Sequence, residues 1–337
     1  MLEKCEIYNI AVTPNSAYFN YLIVLFQSLL VKSNPDKKFH IFVLYHQLKQ
    51  DEIDFATEYV KQKGSIIDFI YIDGEKYKVF PEIGRLSVET YFRLEVQDLL
   101  PKDVDRLLYL DVDMLVCGDI DKLYHIDFGD KYLVACGFSP KCEQGDEFNA
   151  GMLLMNIKRL REEMSFEKYV EIAKSLNMNF YADQGLLNYY FGKEGTIYVP
   201  KVLYNFTSPF YRKFKKEILQ NNPNFSFDDI VIIHFAGPGL RPWQANFSGE
   251  EYEKLSKGNV LDIIASKGFI LDEVYLAILK KWWETAKMTP VYNELLLGMS
   301  MKKSELMTEW LEAVIDAKEY QLGYRIMRTL RKLKGNK

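Results

Sequence analysis

Between residues 7 and 156, apolar runs of strand length alternate with runs of helix length, and this alternation constrains the fold more than any other feature. "IYNIAV" (7–12), "FHIFVLY" (39–45), "SIIDFIYI" (65–72), "RLLYLD" (106–111), "KYLVACGF" (131–138) and "AGMLLMN" (150–156) read as strands. Between them, "NYLIVLFQSLLVK" (20–32), a polar stretch from about Asp51 to Lys63, and "VETYFRLEVQDLL" (88–100), ended by Pro101, read as helices. Strands apolar throughout are buried on both faces, and the helices between them serve as crossover connections. The pattern predicts an α/β fold with a largely parallel sheet, whose ligands bind beyond the carboxyl ends of its strands.

From about Glu250 the strand signals stop, and a pair, Trp282 and Trp283, opens a helical remainder. Two regions are therefore expected, 1–248 and a C-terminal helical region, 249–337. Over 320–337, bases flank Leu322, Ile326, Leu330 and Leu333 at helical spacing. That segment suits either peripheral contact with an anionic membrane or a solvated helix capping the domain. The apolar run 19–31 is too short to span a bilayer, which takes roughly 20 residues, and no signal peptide is read at the start. A net charge of −4 gives no reason to expect nucleic acid. Four cysteines without CxxC spacing point to a reduced, cytoplasmic setting.

One strand carries a chemical anomaly. "RLLYLDVDMLV" (106–116) places Asp111 and Asp113 inside an apolar run. Two like charges there cost several kcal/mol unless a cation sits between them. Residues i and i+2 of an extended backbone point the same way, so both carboxylates could reach one hard divalent ion. Two solvated aspartates in a turn would satisfy the spacing equally. "DDIVIIHFAGPGLRPW" (228–243) ends an apolar run in His234, one of only four histidines, then passes through a Gly/Pro loop to Arg241. An imidazole, a loop of small residues and a guanidinium are what a metal–diphosphate site uses; a structural histidine is the other reading. "FNAGMLLMN" (148–156) sets Asn149 and Ala150 where backbone can approach a ligand. "YADQGLLNYYF" (181–191) opens a helix with Asp183 and Gln184, and Asp183 there also suits an N-cap.

In their order, "RLLYLDVDMLV", "FNAGMLLMN", "YADQGLLN" and "HFAGPGLRPW" resemble glycosyltransferase family 8, over roughly residues 7–245. The resemblance implies a GT-A fold, with a mixed, mostly parallel sheet, and retaining transfer of a hexose, galactose or glucose, from a UDP-sugar. The acceptor would be a hydroxyl of a glycan, glycolipid or glycoprotein. It implies that Asp111, Asp113 and His234 hold Mn²⁺ or Mg²⁺ against the UDP diphosphate. Ala11, Thr13 and Asn15 would lie at the nucleoside, and Arg93, Val112, Asn149, Ala150, Gly237 and Arg241 would complete the donor site. Asp183 and Gln184 would flank the reacting sugar carbon. Thr13 stands where the family commonly has an acid, and Arg241 comes one residue later than the family's usual cation. A DxD strand also resembles the haloacid-dehalogenase phosphatases, though theirs lies nearer the N-terminus. A third possibility is a transferase-like protein that only binds nucleotide or serves as a membrane-attached partner.

Overall fold

The structure is a computed structural model that describes residues 6–32, 37–80, 87–141, 145–175, 182–236, 241–243 and 273–298. Nine strands are described: β1 (Ile7–Val12), β2 (Lys38–Tyr45), β3 (Ile66–Tyr71), β4 (Arg106–Leu110), β5 (Met114–Val116), β6 (Leu133–Gly137), β7 (Phe148–Asn156), β8 (Thr196–Tyr198) and β9 (Ile232–His234). The described α-helices are α1 (Phe19–Lys32), α2 (Gln50–Gln62), α3 (Val96–Leu99), α4 (Asp121–Tyr124), α5 (Ile157–Glu163), α6 (Phe166–Ser175), α7 (Ala182–Phe191), α8 (Lys201–Tyr204), α9 (Ser208–Asn221) and α10 (Glu273–Ala286).

Seven strands form one sheet in the order β3-β2-β1-β4-β7-β6-β8. β3, β2, β1 and β4 run parallel, β7 is antiparallel to both β4 and β6, and β8 is parallel to β6. The sheet is thus mixed and mostly parallel. Its two faces follow the strand period of two. Ile10, Val12, Ile41, Val43, Leu108 and Leu110 enter one core with α1. Ala11, Phe42, Leu44, Leu107 and Tyr109 enter the other with α7. Burial on both faces is why these strands read as unbroken apolar runs.

Gln27 and Ser28 interrupt α1, and both are buried with partners. Tyr59 donates to Gln27, while Ser28 Oγ donates to Leu25 O at 2.7 Å and accepts Val116 N–H at 3.0 Å. That last bond ties β5 to α1. The helix expected over 88–100 is instead a 3₁₀ helix, Val88–Glu95, followed by the single turn of α3. Arg93 Nε returns to Thr90 O at 3.1 Å and Gln97 Nε2 to Leu94 O at 2.9 Å, each across the three-residue step that a 3₁₀ turn eclipses.

Past β9 the described chain runs to Ala236, resumes at Arg241 and again at α10. α10 packs on α1, and its Trp282 and Trp283 join the core of the α1 face. The boundary expected at 248, Gly237 and the basic segment 320–337 lie outside the described residues. No helix among the described residues is long and apolar enough to cross a membrane.

Candidate active site

β1 and β4 are parallel neighbours, so their carboxyl ends open on the same edge of the sheet. Thr13 follows β1 there, and Asp111 follows β4. The chain turns through Val112 and Asp113 into β5, which pairs antiparallel with β9 in the register Met114↔His234. Phe235 N–H donates to Asp113 O at 2.9 Å, locking that register. Pairing with β5 is therefore what carries His234 to the two aspartates.

His234 Nε2 lies 3.1 Å from Asp113 Oδ1 and 3.8 Å from Asp111 Oδ2. Ligand atoms of the three residues all lie within 4.8 Å of one another. Two carboxylates and an imidazole form a donor set for a divalent cation such as Mn²⁺. The packing fits this purpose: a Cβ on Gly151 would stand 2.4 Å from His234 Cε1 and 2.8 Å from Asp111 Oδ2. Only glycine at 151 leaves the cluster its room.

The surrounding charges are arranged around that set. Arg241 Nη2 lies 3.2 Å from Asp113 Oδ2, and Arg241 also donates to the Tyr18 hydroxyl. Burial disfavours the ionised Asp113, but His234 and then Arg241 outweigh it and hold the carboxyl below its usual range. Arg93 pairs with Asp111 at 3.0 Å and with Asp183 at 2.9 Å, and donates to Ala150 O at 2.5 Å. Its guanidinium stacks 4.4 Å from the Tyr109 ring centroid. Asp183, 3% exposed, is pushed up to about 6, first by burial and then by Asp111, against the pull of Arg93. It is therefore a buried ion-pair partner, not a solvated N-cap. Tyr109 donates to Asp111 Oδ1 at 2.9 Å, so the 2.8 Å bond from Thr13 Oγ1 to Tyr109 is donated by the threonine.

An unbroken relay of amides connects α7 to the histidine. Asn149 Nδ2 and Ala150 N–H both donate to Gln184 Oε1, at 3.1 and 3.2 Å. Asn205 Nδ2 donates to Asn149 Oδ1 at 2.9 Å, and His234 Nδ1 stands 2.9 Å from Asn205 Oδ1. Asn188 pins α7 to β7 by bonding both Phe148 N–H (2.8 Å) and Phe148 O (2.9 Å). Gln184 therefore keeps its oxygen on the protein.

The expected residues thus converge on one sheet edge, with exceptions. Ala11 is fully buried in β1 and Val112 nearly so, whereas Thr13 and Asn15, beyond the end of β1, are half-buried. Asn15 Oδ1 and Arg241 Nε are buried with no hydrogen-bond partner among the described residues. Asn205, Tyr109 and Asn188 were not singled out from the sequence. Asn205 lies 56 positions from Asn149 and 29 from His234, in "VLYNF", where no local spacing announces it.

The sequence profile of glycosyl transferase family 8 matches residues 9–246. A Haemophilus influenzae protein assigned by name to the glycosyltransferases is 28% identical over 246 residues, 68% of this chain and 71% of its own. The galactosyltransferase LgtC, solved with donor and acceptor sugar analogs, superposes with a TM-score of 0.61 at 26% identity, over 74% of this chain and 95% of its own. The Streptococcus pneumoniae glycosyltransferase GlyE shares the fold at 18% identity (TM-score 0.58), over 88% of this chain and 63% of its own. These neighbours share the GT-A architecture, and the profile match sets the phosphatase resemblance aside. The chain belongs to glycosyl transferase family 8, and its fold is that of a glycosyltransferase.

Proposed function

We propose that the protein transfers a hexose, galactose or glucose, from a UDP-sugar to a hydroxyl of a glycan, glycolipid or glycoprotein, with retention at the anomeric carbon. The observation that carries this reading is the Asp111–Asp113–His234 cluster with Arg241 at its rim, at the carboxyl end of the parallel strands. Mn²⁺ or Mg²⁺ held by those three residues would supply a Lewis acid that neutralises the departing diphosphate. Arg241, with an unpartnered buried Nε, is placed to bind phosphate oxygens, and Asn15 Oδ1 lacks a donor that a nucleoside could provide. LgtC, the neighbour with donor and acceptor analogs, lends the substrate class.

The groups around the sugar favour departure and arrival on one face. Asp183 is buried and ion-paired with Arg93, its Oδ2 accepting no hydrogen bond, and the oxygen of Gln184 accepts from Asn149 and Ala150, so the amide is not free as a nucleophile. Their part is electrostatic: the buried carboxylate faces charge developing on the ring. The acceptor hydroxyl would then lose its proton to the departing phosphate.

Released UDP, measured over a panel of UDP-sugars with and without Mn²⁺, tests the reading. One UDP-hexose is expected to be consumed in a metal-dependent manner, and Asp113→Ala is expected to lower the rate at least about a hundredfold. Failure of the wild type to bind UDP in the presence of Mn²⁺ would overturn it.

A further inference from the structure

Between the end of β6 and the start of α9 lies a cavity of about 460 Å³, within the range of small-ligand pockets. Phe138, Phe210 and Phe214 line it together with Asn149 and Ala236. Asn149 bonds Gln184, and Ala236 lies two residues after His234, so the cavity opens on the candidate reaction centre. Aromatic rings beside a polar wall suit the apolar face of a sugar ring.

Lys201 also lines this cavity and is 4% exposed, the one buried lysine among the described residues. Its ammonium lies 4.9 Å from the Phe138 centroid and 5.6 Å from that of Phe210. No carboxylate stands within ion-pair distance of it among the described residues. Cys136 and then Asp146 oppose the effect of burial without pairing with it, and Asp146 accepts Ser139 N–H at 2.5 Å. Ring faces attract a cation without neutralising it, and burial pulls the lysine's pKa down. Exposed Lys213 adds a second positive charge to the lining. A desolvated cation without a counter-charge is costly, so a built site of this kind expects an anion from its ligand.

We propose that this cavity is the acceptor subsite and that it takes a sugar bearing an anionic group, a carboxylate or a phosphate, bound by Lys201. The assignment rests on the transferase reading above. It separates this protein from a transferase for neutral sugars alone.

Direct binding tests it without any turnover. Titrations of wild type, Lys201→Met and Lys201→Arg would use methyl β-D-glucuronide, glucose 6-phosphate and the neutral methyl β-D-glucoside as probes. Wild type is expected to bind at least one anionic probe about tenfold or more tighter than the neutral one. The glucuronide and phosphate arms tell which anion it takes. Lys201→Met is expected to lose the preference, and Lys201→Arg to keep most of it. Equal affinity of wild type for charged and neutral probes would overturn the proposal, and needs no variant to be folded. A preference that survives in Lys201→Met would overturn it too. A parallel titration with UDP and Mn²⁺ separates the two readings. UDP binding without anion preference sinks only the acceptor assignment. Anion preference without UDP binding supports the cavity as an anionic-sugar site and sinks the nucleotide reading.

Discussion

A neutral imidazole offers a lone pair from one nitrogen while the other keeps its proton, so the partner of His234 Nδ1 decides whether Nε2 can face a cation. That partner is Asn205 Oδ1, and the amide cannot turn round because its Nδ2 is committed to Asn149. Asn205→Ala is expected to weaken Mn²⁺ binding about 10–100-fold, read from the paramagnetic signal of the free ion. Asn205→Asp, which keeps an accepting oxygen, should recover most of it. Unchanged affinity in the alanine variant would remove Asn205 from any positioning role. Asp183 raises a different question. Its folded pKa, about 6, lies above the ordinary 3.8, so the folded chain holds that proton more tightly than the unfolded one. Its ionisation thus costs stability progressively as pH rises from about 4 through 6. The stability of wild type relative to Asp183→Asn should fall by about 2–3 kcal/mol between pH 4 and pH 7, by denaturant unfolding. A difference that stays flat with pH would mean that Asp183 titrates normally. The position is held at that cost because the ionised carboxylate both pairs Arg93 and faces the proposed sugar.

Strand β7 shows how an element can build a site by what it lacks. Its register on β4 brings Gly151 beside Asp111, whose N–H donates to Gly151 O at 2.8 Å. A methyl there meets His234 Cε1 at 2.4 Å, and the ring has little room to retreat while Asn205 holds its Nδ1. Gly151→Ala is expected to cost roughly 1–3 kcal/mol, as overpacking does, and to abolish Mn²⁺ binding. Retained binding in a stably folded variant would show that the cluster is looser than its packing. The sequence shows the smallness of residues 150 and 151 but not its cause, since His234 comes from a different strand. Long elements such as β1, β2, α1 and α2 were legible because their apolar pattern is local and sustained. Pairing of β5 with β9 was not, because each has three residues and Asp113 and His234 lie 121 positions apart. The 3₁₀ stretch 88–95 escaped for a related reason. Its apolar periodicity is helical, while its turn geometry accompanies back-bonds from Arg93 and Gln97 that no pattern of residue types displays. The candidate site was legible where its residues come as motifs, and hidden where a single amide such as Asn205 joins them.

At the scale of the whole molecule, the family match ends at residue 246, yet the rim of the site is supported from beyond it. Arg241 donates to Tyr18, and two residues later Trp243 stacks on Tyr21 at 3.8 Å, 13° from parallel. Trp243 also meets Tyr18 edge-on at 6.2 Å and lies 5.4 Å from Trp282 of α10, which in turn meets Trp283 edge-on at 4.9 Å. α10 packs on α1, and α1 follows the Tyr18 turn. One aromatic stack therefore couples α10 to the cation proposed to bind the diphosphate. Trp282 is 1% exposed, so Trp282→Ala leaves a cavity large enough to cost about 3–5 kcal/mol. If the stack positions Arg241, the same variant should bind UDP more weakly, about tenfold, while Asp111, Asp113 and His234, held by β4, β5 and β9, keep their affinity for Mn²⁺. Titrating the two ligands separately distinguishes the cases. Loss of both would mean that α10 supports the whole core indiscriminately. Loss of neither would mean that Trp243 and Arg241 are held in place from the α1 side alone.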